Sequence, residues 1–209
     1  MDVAISQFGN IPVTAGELIS TFAHIEAPRN KLMLLERKGQ IIRLKRGLYV
    51  VSPAISGKQL SMELIANHLY GHSYVSMQWA LRDYGLIPER VYAVKSMTMA
   101  RSKEFENKLG RFVYEHCSLD YFQIGIEVKM QQGISFLMAS REKALCDLVV
   151  STSMLRLRSL IATRQYLEED IRLDMDELMK MNPQIFRQCA AVSKKPMALL
   201  NIASLIEKL

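Results

Sequence analysis

Three groups of side chains in this chain have the types and spacing that chemistry needs. The first is Glu127-Val128-Lys129 with Asp120 upstream. This order matches the D…(D/E)-x-K core of metal-dependent nucleases. On a strand, residues 127 and 129 point to the same face, as joint metal binding and water activation require. An outward strand face of alternating charge carries the same triplet. The second group is His68 and His72, four apart but without the intervening glutamate of H-E-x-x-H, and with Gly71 placed to end their helix. His116 and Cys117 are adjacent and would face opposite sides of a strand. Ordinary packing accounts for both histidine sites, and neither a catalytic residue nor a metal ligand is assigned. The sequence has no GxxxxGK(S/T) or GxGxxG, so no nucleotide cofactor is expected.

The third group is basic. Residues 29–46 hold Arg29, Lys31, Arg37, Lys38, Arg43, Lys45 and Arg46 against the single acid Glu36, a surplus of +6. That equals the net charge of the whole chain, +6, so the remainder is balanced. A surplus confined to one short segment is an electrostatic footprint, and polyphosphate is its usual partner.

The elements that must position these charges can be read locally. Thr14 and Glu17 have the spacing of a capping box, which starts a helix over 14–22. Pro28 suits a first helical position and Gly39 a C′ position, which bounds a second helix. Leu32 and Leu35, with Pro28 one turn earlier, form its buried stripe. Arg29, Asn30, Met33 and Arg37 then share its outward arc. Ile41-Ile42-Arg43-Leu44, a Lys45-Arg46-Gly47 turn and Leu48-Tyr49-Val50-Val51 read as a hairpin.

Helix, turn, helix, hairpin is the layout of a winged helix-turn-helix, whose second helix enters the major groove. Arg29 and Asn30 lead the base-reading candidates, since arginine pairs bidentately with guanine and asparagine with adenine. Lys31, Met33 and Arg37 complete the helix contacts. Arg43, Lys45 and Arg46, on the wing, suit phosphates or a narrow minor groove.

Composition limits the alternatives. The chain has 209 residues, 49% of them hydrophobic, enough for a packed core and against general disorder. No apolar run is long enough to span a membrane, and the first ten residues lack a signal-peptide pattern. Three scattered cysteines fit neither a disulfide framework nor a zinc site, and a cytoplasmic location is expected. The 13 methionines suit core filling. The acidic stretch over 168–177 suits helix caps and solvated surface, with a docking site for a basic partner as the alternative.

After a linker over 52–58, helices are expected over 61–69 and 76–84. Strands follow over 91–95, 111–116, 121–130 and 134–139, then a helix over 141–150. The tail is helical over 159–169, 175–181, 183–192 and 196–209. The fold class is therefore mixed α/β (α+β). A winged helix-turn-helix is expected at 1–55 and a mixed α/β unit with a helical tail at 60–209, each with its own core.

Several strings together resemble the AbiEi-type antitoxins. They are residues 39–50 (GQIIRLKRGLYV), Tyr74-Val75-Ser76, residues 84–89 (YGLIPE), 110–116 (GRFVYEH) and 139–148 (ASREKALCDL). The resemblance covers about residues 10–150, and the later tail matches only in being helical. It implies a type IV toxin–antitoxin system, in which the winged helix binds inverted repeats in its own promoter and represses transcription. It further implies that the second domain counters a nucleotidyltransferase toxin, without need of a stable complex. The other readings are a DNA nuclease built on Asp120, Glu127 and Lys129, and an adaptor whose basic face binds an acidic protein.

Overall fold

The computed structural model describes residues 3–208 and is a mixed α/β protein. Its first part runs α1 (Val3–Ser6), β1 (Val13–Thr14), α2 (Ala15–Ser20), α3 (Pro28–Arg37), β2 (Ile41–Lys45) and β3 (Leu48–Val51). The capping box is formed. The Glu17 amide donates to Thr14 Oγ1 at 3.2 Å, and the Thr14 amide donates to Glu17 Oε2 at 2.6 Å. α3 starts on Pro28 and buries Leu32 and Leu35. It gives way at Gly39, whose φ of +68° is a conformation that glycine adopts without steric cost. The three strands form an antiparallel sheet in the order β1-β3-β2, with Val13 opposite Tyr49 and Ile42 opposite Val50.

The second part begins with α4 (Pro53–Ser56), α5 (Met62–Leu69), β4 (Ser73–Val75) and α6 (Met77–Asp83). It continues through β5 (Ala93–Thr98), β6 (Lys103–Asn107), β7 (Gly110–His116), α7 (Leu119–Phe122), β8 (Ile126–Gln131) and β9 (Ile134–Ala139). These strands make one mixed sheet in the order β6-β7-β5-β4-β9-β8. β5 is parallel to β7 and β4 to β9, and the remaining neighbours are antiparallel. The helices that follow are α8 (Arg141–Ser151), α9 (Leu160–Gln165) with a wider turn over Tyr166–Asp170, α10 (Met175–Leu178), α11 (Pro183–Val192) and α12 (Pro196–Lys208). α11 packs against α12 and α8, and α8 packs against α6.

Two hydrophobic clusters meet at the β2–β3 hairpin. Ile41, Tyr49 and Val51 belong to the smaller cluster with Ile5, Leu18, Phe22, Leu32 and Leu35. Leu44, Leu48 and Val50 belong to the large cluster, with Tyr114, Phe112 and Leu69. Residues two apart on a strand share a face, so one face of the hairpin serves each core. This explains why all four residues of β3 are buried. Each part has a cluster of its own, and three hairpin side chains, Leu44, Leu48 and Val50, belong to that of the second. A chain cut near Gly57 would lose them.

Other differences have local causes. The expected linker over 52–58 contains α4, which ends on Gly57 and packs against α1. The expected strand over 121–130 is split into α7 and β8 by Gly125, where a Cβ would meet Lys143 Cβ at 2.9 Å. β4 and β6 were not anticipated. β4 has only three residues, all buried, so it shows no alternation. β6 is Lys-Glu-Phe-Glu-Asn, with one apolar residue, and is held by its ladder to β7.

Because the hairpin is common to both clusters, Leu44→Ala should cost about 2–5 kcal/mol, the usual range for a leucine truncated in a core. Calorimetry of the whole chain should show one transition moved to lower temperature. Two transitions, only one of them displaced, would contradict the coupling of the two clusters through the hairpin.

Candidate nucleic-acid interface

The outward arc of α3 carries Arg29, Asn30, Met33 and Arg37 in exposed positions, with Met33 59% accessible, and the C-cap residue Lys38 is exposed as well. Lys31 is half-buried, its ammonium 5.9 Å from the centre of the Phe22 ring. No side chain caps the N-terminus of α3, since the N-cap is Ala27 and the next residue is Pro28. The first turn therefore presents Arg29 and Asn30 at an end of the helix with positive dipole character.

On the hairpin, the three expected wing contacts are in different situations. Arg46 is exposed in the turn between β2 and β3. Arg43 is exposed too, but its guanidinium donates to Glu36 Oε2 at 2.8 Å and lies 5.6 Å from the centre of the Tyr49 ring. That pair ties the hairpin to the last turn of α3. Lys45 turns inward. Its Nζ donates to the Leu69 carbonyl at 2.6 Å and lies 5.9 Å from the Phe105 ring centre. Burial, and then the nearby Lys103, push the Lys45 ammonium below the usual lysine range. One further bond holds the same strand, from Asn107 Nδ2 to the Leu44 carbonyl at 3.1 Å. Among the expected contacts, Lys45 is thus a tether of the hairpin to the second part. A register shift between Arg43 and Lys45 marks the bulge there. An extra residue in one strand re-aims the side chains around it.

The acidic and histidine groups are also placed. Glu127 and Lys129 stand on one face of β8, 3.6 Å apart, and the Tyr84 hydroxyl donates to Glu127 Oε2 at 3.2 Å. Lys129 Nζ lies 4.1 Å from the centre of the Tyr84 ring. Among the described residues no hydrogen bond or ion pair joins Asp120, on α7, to either of them, and no cluster of three or more His, Cys, Asp or Glu could hold a metal. His68 Nδ1 is 3.0 Å from the Leu64 carbonyl within α5. In the acidic stretch, Asp174 caps α10, Glu168 pairs with Arg164, and Glu177 pairs with both Arg141 and Lys180.

A buried polar cluster escaped the sequence reading. Lys143 and Asp147, one turn apart on α8, form an ion pair of 3.4 Å with both side chains 0% exposed. Lys143 Nζ also donates to the Tyr121 carbonyl at 2.8 Å and sits 3.1 Å from the centre of the Tyr121 ring. Ser76 Oγ, from the residue that precedes α6, donates to Asp147 Oδ2 at 2.6 Å. Lys143 Nζ also lies 5.9 Å from the centre of the Tyr74 ring. Burial pushes the Asp147 carboxyl up, and Lys143 with the Ser76 hydroxyl pulls it back down. The available signal was a Lys-x-x-x-Asp spacing flanked by Ala144, Leu145, Cys146 and Leu148, charges set inside an apolar helix. The cluster joins α6, α7 and α8. The adjoining cleft is lined by His116, Cys117, Tyr121 and Lys194, and burial pushes the Cys117 thiol up to about 11, which keeps it protonated near neutral pH.

Lys143→Met should destabilise the chain by about 3–5 kcal/mol, because Asp147 would lose its buried counter-charge and keep the Ser76 hydroxyl as its donor. Adding Asp147→Leu should recover much of the loss. Denaturant titration of the two variants checks this, and additive losses in the double variant would show that the pair does not act as a unit. No protein-family model and no curated protein matches this chain, and its functional reading therefore starts from its own residues.

Proposed function

We propose that this protein is a DNA-binding transcriptional repressor whose N-terminal helices and β2–β3 hairpin act as a winged helix-turn-helix. One observation carries the reading. The segment that accounts for the net charge displays Arg29 and Arg37 on one helix, Lys38 at its C-cap and Arg46 on the adjoining hairpin turn, all exposed. Asn30 and Met33 stand among them, a hydrogen-bonding amide and an apolar contact suited to base edges.

In this reading α3 enters the major groove with Arg29 and Asn30 foremost. Arg46 reaches phosphates flanking the groove. Arg43, paired with Glu36, holds the hairpin at a fixed angle to the helix. Lys45 fixes the base of the turn and leaves Arg46 as its outward cation. The resemblance of the chain's motifs to AbiEi-type antitoxins supports the finer proposal. The operator is then an inverted repeat, and the second part of the chain relieves the toxicity of a nucleotidyltransferase toxin. The nuclease reading receives no comparable support, since Glu127 and Lys129 pair with each other and with Tyr84.

Two sets of substitutions test the interface. Arg29→Ala or Asn30→Ala should weaken binding to a specific site by about 1–3 kcal/mol and relax the preference at one base position. Equal losses on specific and random duplexes would make these residues phosphate contacts only. Arg46→Ala should flatten the dependence of log K on log salt by about one unit. Lys45→Ala should leave that slope unchanged and lower the melting temperature instead. The reverse pattern would place Lys45 at the DNA.

The finer proposal is tested in cells that express the cognate toxin. The full chain carrying Arg29→Ala and Arg46→Ala should lose repression and still restore growth. Loss of both together, in a folded protein, would tie antitoxin action to DNA binding.

A further inference from the structure

The six-stranded sheet has two unequal edges. At one edge, β6 exposes Lys103, Glu104 and Glu106, and β2 lies close to it, with Asn107 bonded to the Leu44 carbonyl. At the other, β8 is six residues long and, among the described residues, pairs only with β9. Its Val128 and Met130 are 70% and 78% exposed, and Leu137, directly across from Val128 on β9, is exposed as well. An edge strand of this length with exposed apolar residues offers its free N–H and C=O groups to another strand.

The order of side chains on β8 says what that other strand is. Glu127 and Lys129 flank Val128 and share the face toward Tyr84. Suppose a second copy of β8 pairs antiparallel about a two-fold axis through Val128. Then Val128 meets its own copy, Glu127 meets Lys129 of the other chain on both sides of the axis, and Ile126 meets Met130. An axis through residue 127 would set Glu127 against itself, and one through residue 129 would set Lys129 against itself. Like charges directly opposite are unfavourable and opposite charges favourable. Of these three axes, the one through Val128 sets opposite charges face to face. On the opposite face Val128, Met130 and Leu137 of both copies would merge into one apolar strip. A self-complementary patch is the requirement of a two-fold interface.

We infer that this protein forms a two-fold dimer by antiparallel pairing of its β8 strands about Val128, which joins the two large sheets into one. The inference stands on the sheet edge alone and is independent of the DNA-binding reading, although a two-fold dimer matches the symmetry of an inverted-repeat operator.

Light scattering on the full chain tests it, over concentrations from micromolar to hundreds of micromolar. The unaltered chain should reach twice the monomer mass as concentration rises. Glu127→Lys and Lys129→Glu should each shift the midpoint at least tenfold toward higher concentration, because each sets like charges opposite one another. The double variant Glu127→Lys/Lys129→Glu restores opposite charges and should return the midpoint to the original value. Register is read separately by cysteine crosslinking. Val128→Cys should give a disulfide-linked dimer under mild oxidation, while Met130→Cys, which faces residue 126 of the other chain, should not. The natural cysteines, Cys117, Cys146 and Cys189, are all buried, so they leave the assay clean. A chain that stays monomeric throughout, or one whose charge swap fails to restore the midpoint, overturns the inference. Monomer at all concentrations would leave the strip for a different protein.

Discussion

The fold depends on a single hairpin that is buried from both sides. Tyr49 and Val51 face the core beneath α2 and α3, and Leu48 and Val50 face the core of the large sheet. A strand of alternating polarity would have let the first part of the chain hang free on the second. Here both faces are apolar, and each must be covered. The polar attachments follow the same course. Lys45 donates to Leu69, and Asn107 donates to Leu44. Both bonds end on backbone carbonyls that would otherwise have to find partners in a partly desolvated position.

That constraint shapes the charge the molecule shows. Of the basic residues in the segment, one ammonium is used inside the joint and one guanidinium is held by Glu36. The cations left on the outward arc and at the turn are fewer than composition alone suggests, and they are set on a rigid frame. A frame fixed in this way favours recognition, since contacts need not be ordered anew on binding. The buried Lys143–Asp147 pair does for the second part what the hairpin does for the joint. It ties three helices together through charges whose isolation would be costly, and so allows one arrangement of them.

Much of this was legible in the sequence, and the limits have physical reasons. The Thr14–Glu17 box, Pro28 and Gly39 are local devices, and they bound α2 and α3 as expected. The hairpin was visible from two β-rich runs around a glycine. What covers its second face was not, because that is decided by residues such as Tyr114 and Leu69, remote in sequence. β6 carries almost no strand signal and exists because β7 offers it a partner. The site was legible as a set of residue types on α3. Lys45 marks the limit, since the pattern of β2 cannot reveal which of Arg43 and Lys45 will meet a neighbouring carbonyl. Lys143 and Asp147 carried a spacing that reads equally well as a surface pair, and only the packing of α6 and α7 over them makes it a core feature.

The outward face of α3 and the hairpin turn are proposed as an electrostatic interface for duplex DNA. The most direct measurement is the equilibrium binding of the intact chain to duplex DNA over a series of salt concentrations. With Arg37, Lys38 and Arg46 each neutralising a phosphate, and Arg29 directed to a base edge, log K should fall against log salt with a slope of about −2.5 to −3. Binding that is absent, or that does not change with salt, would contradict the account.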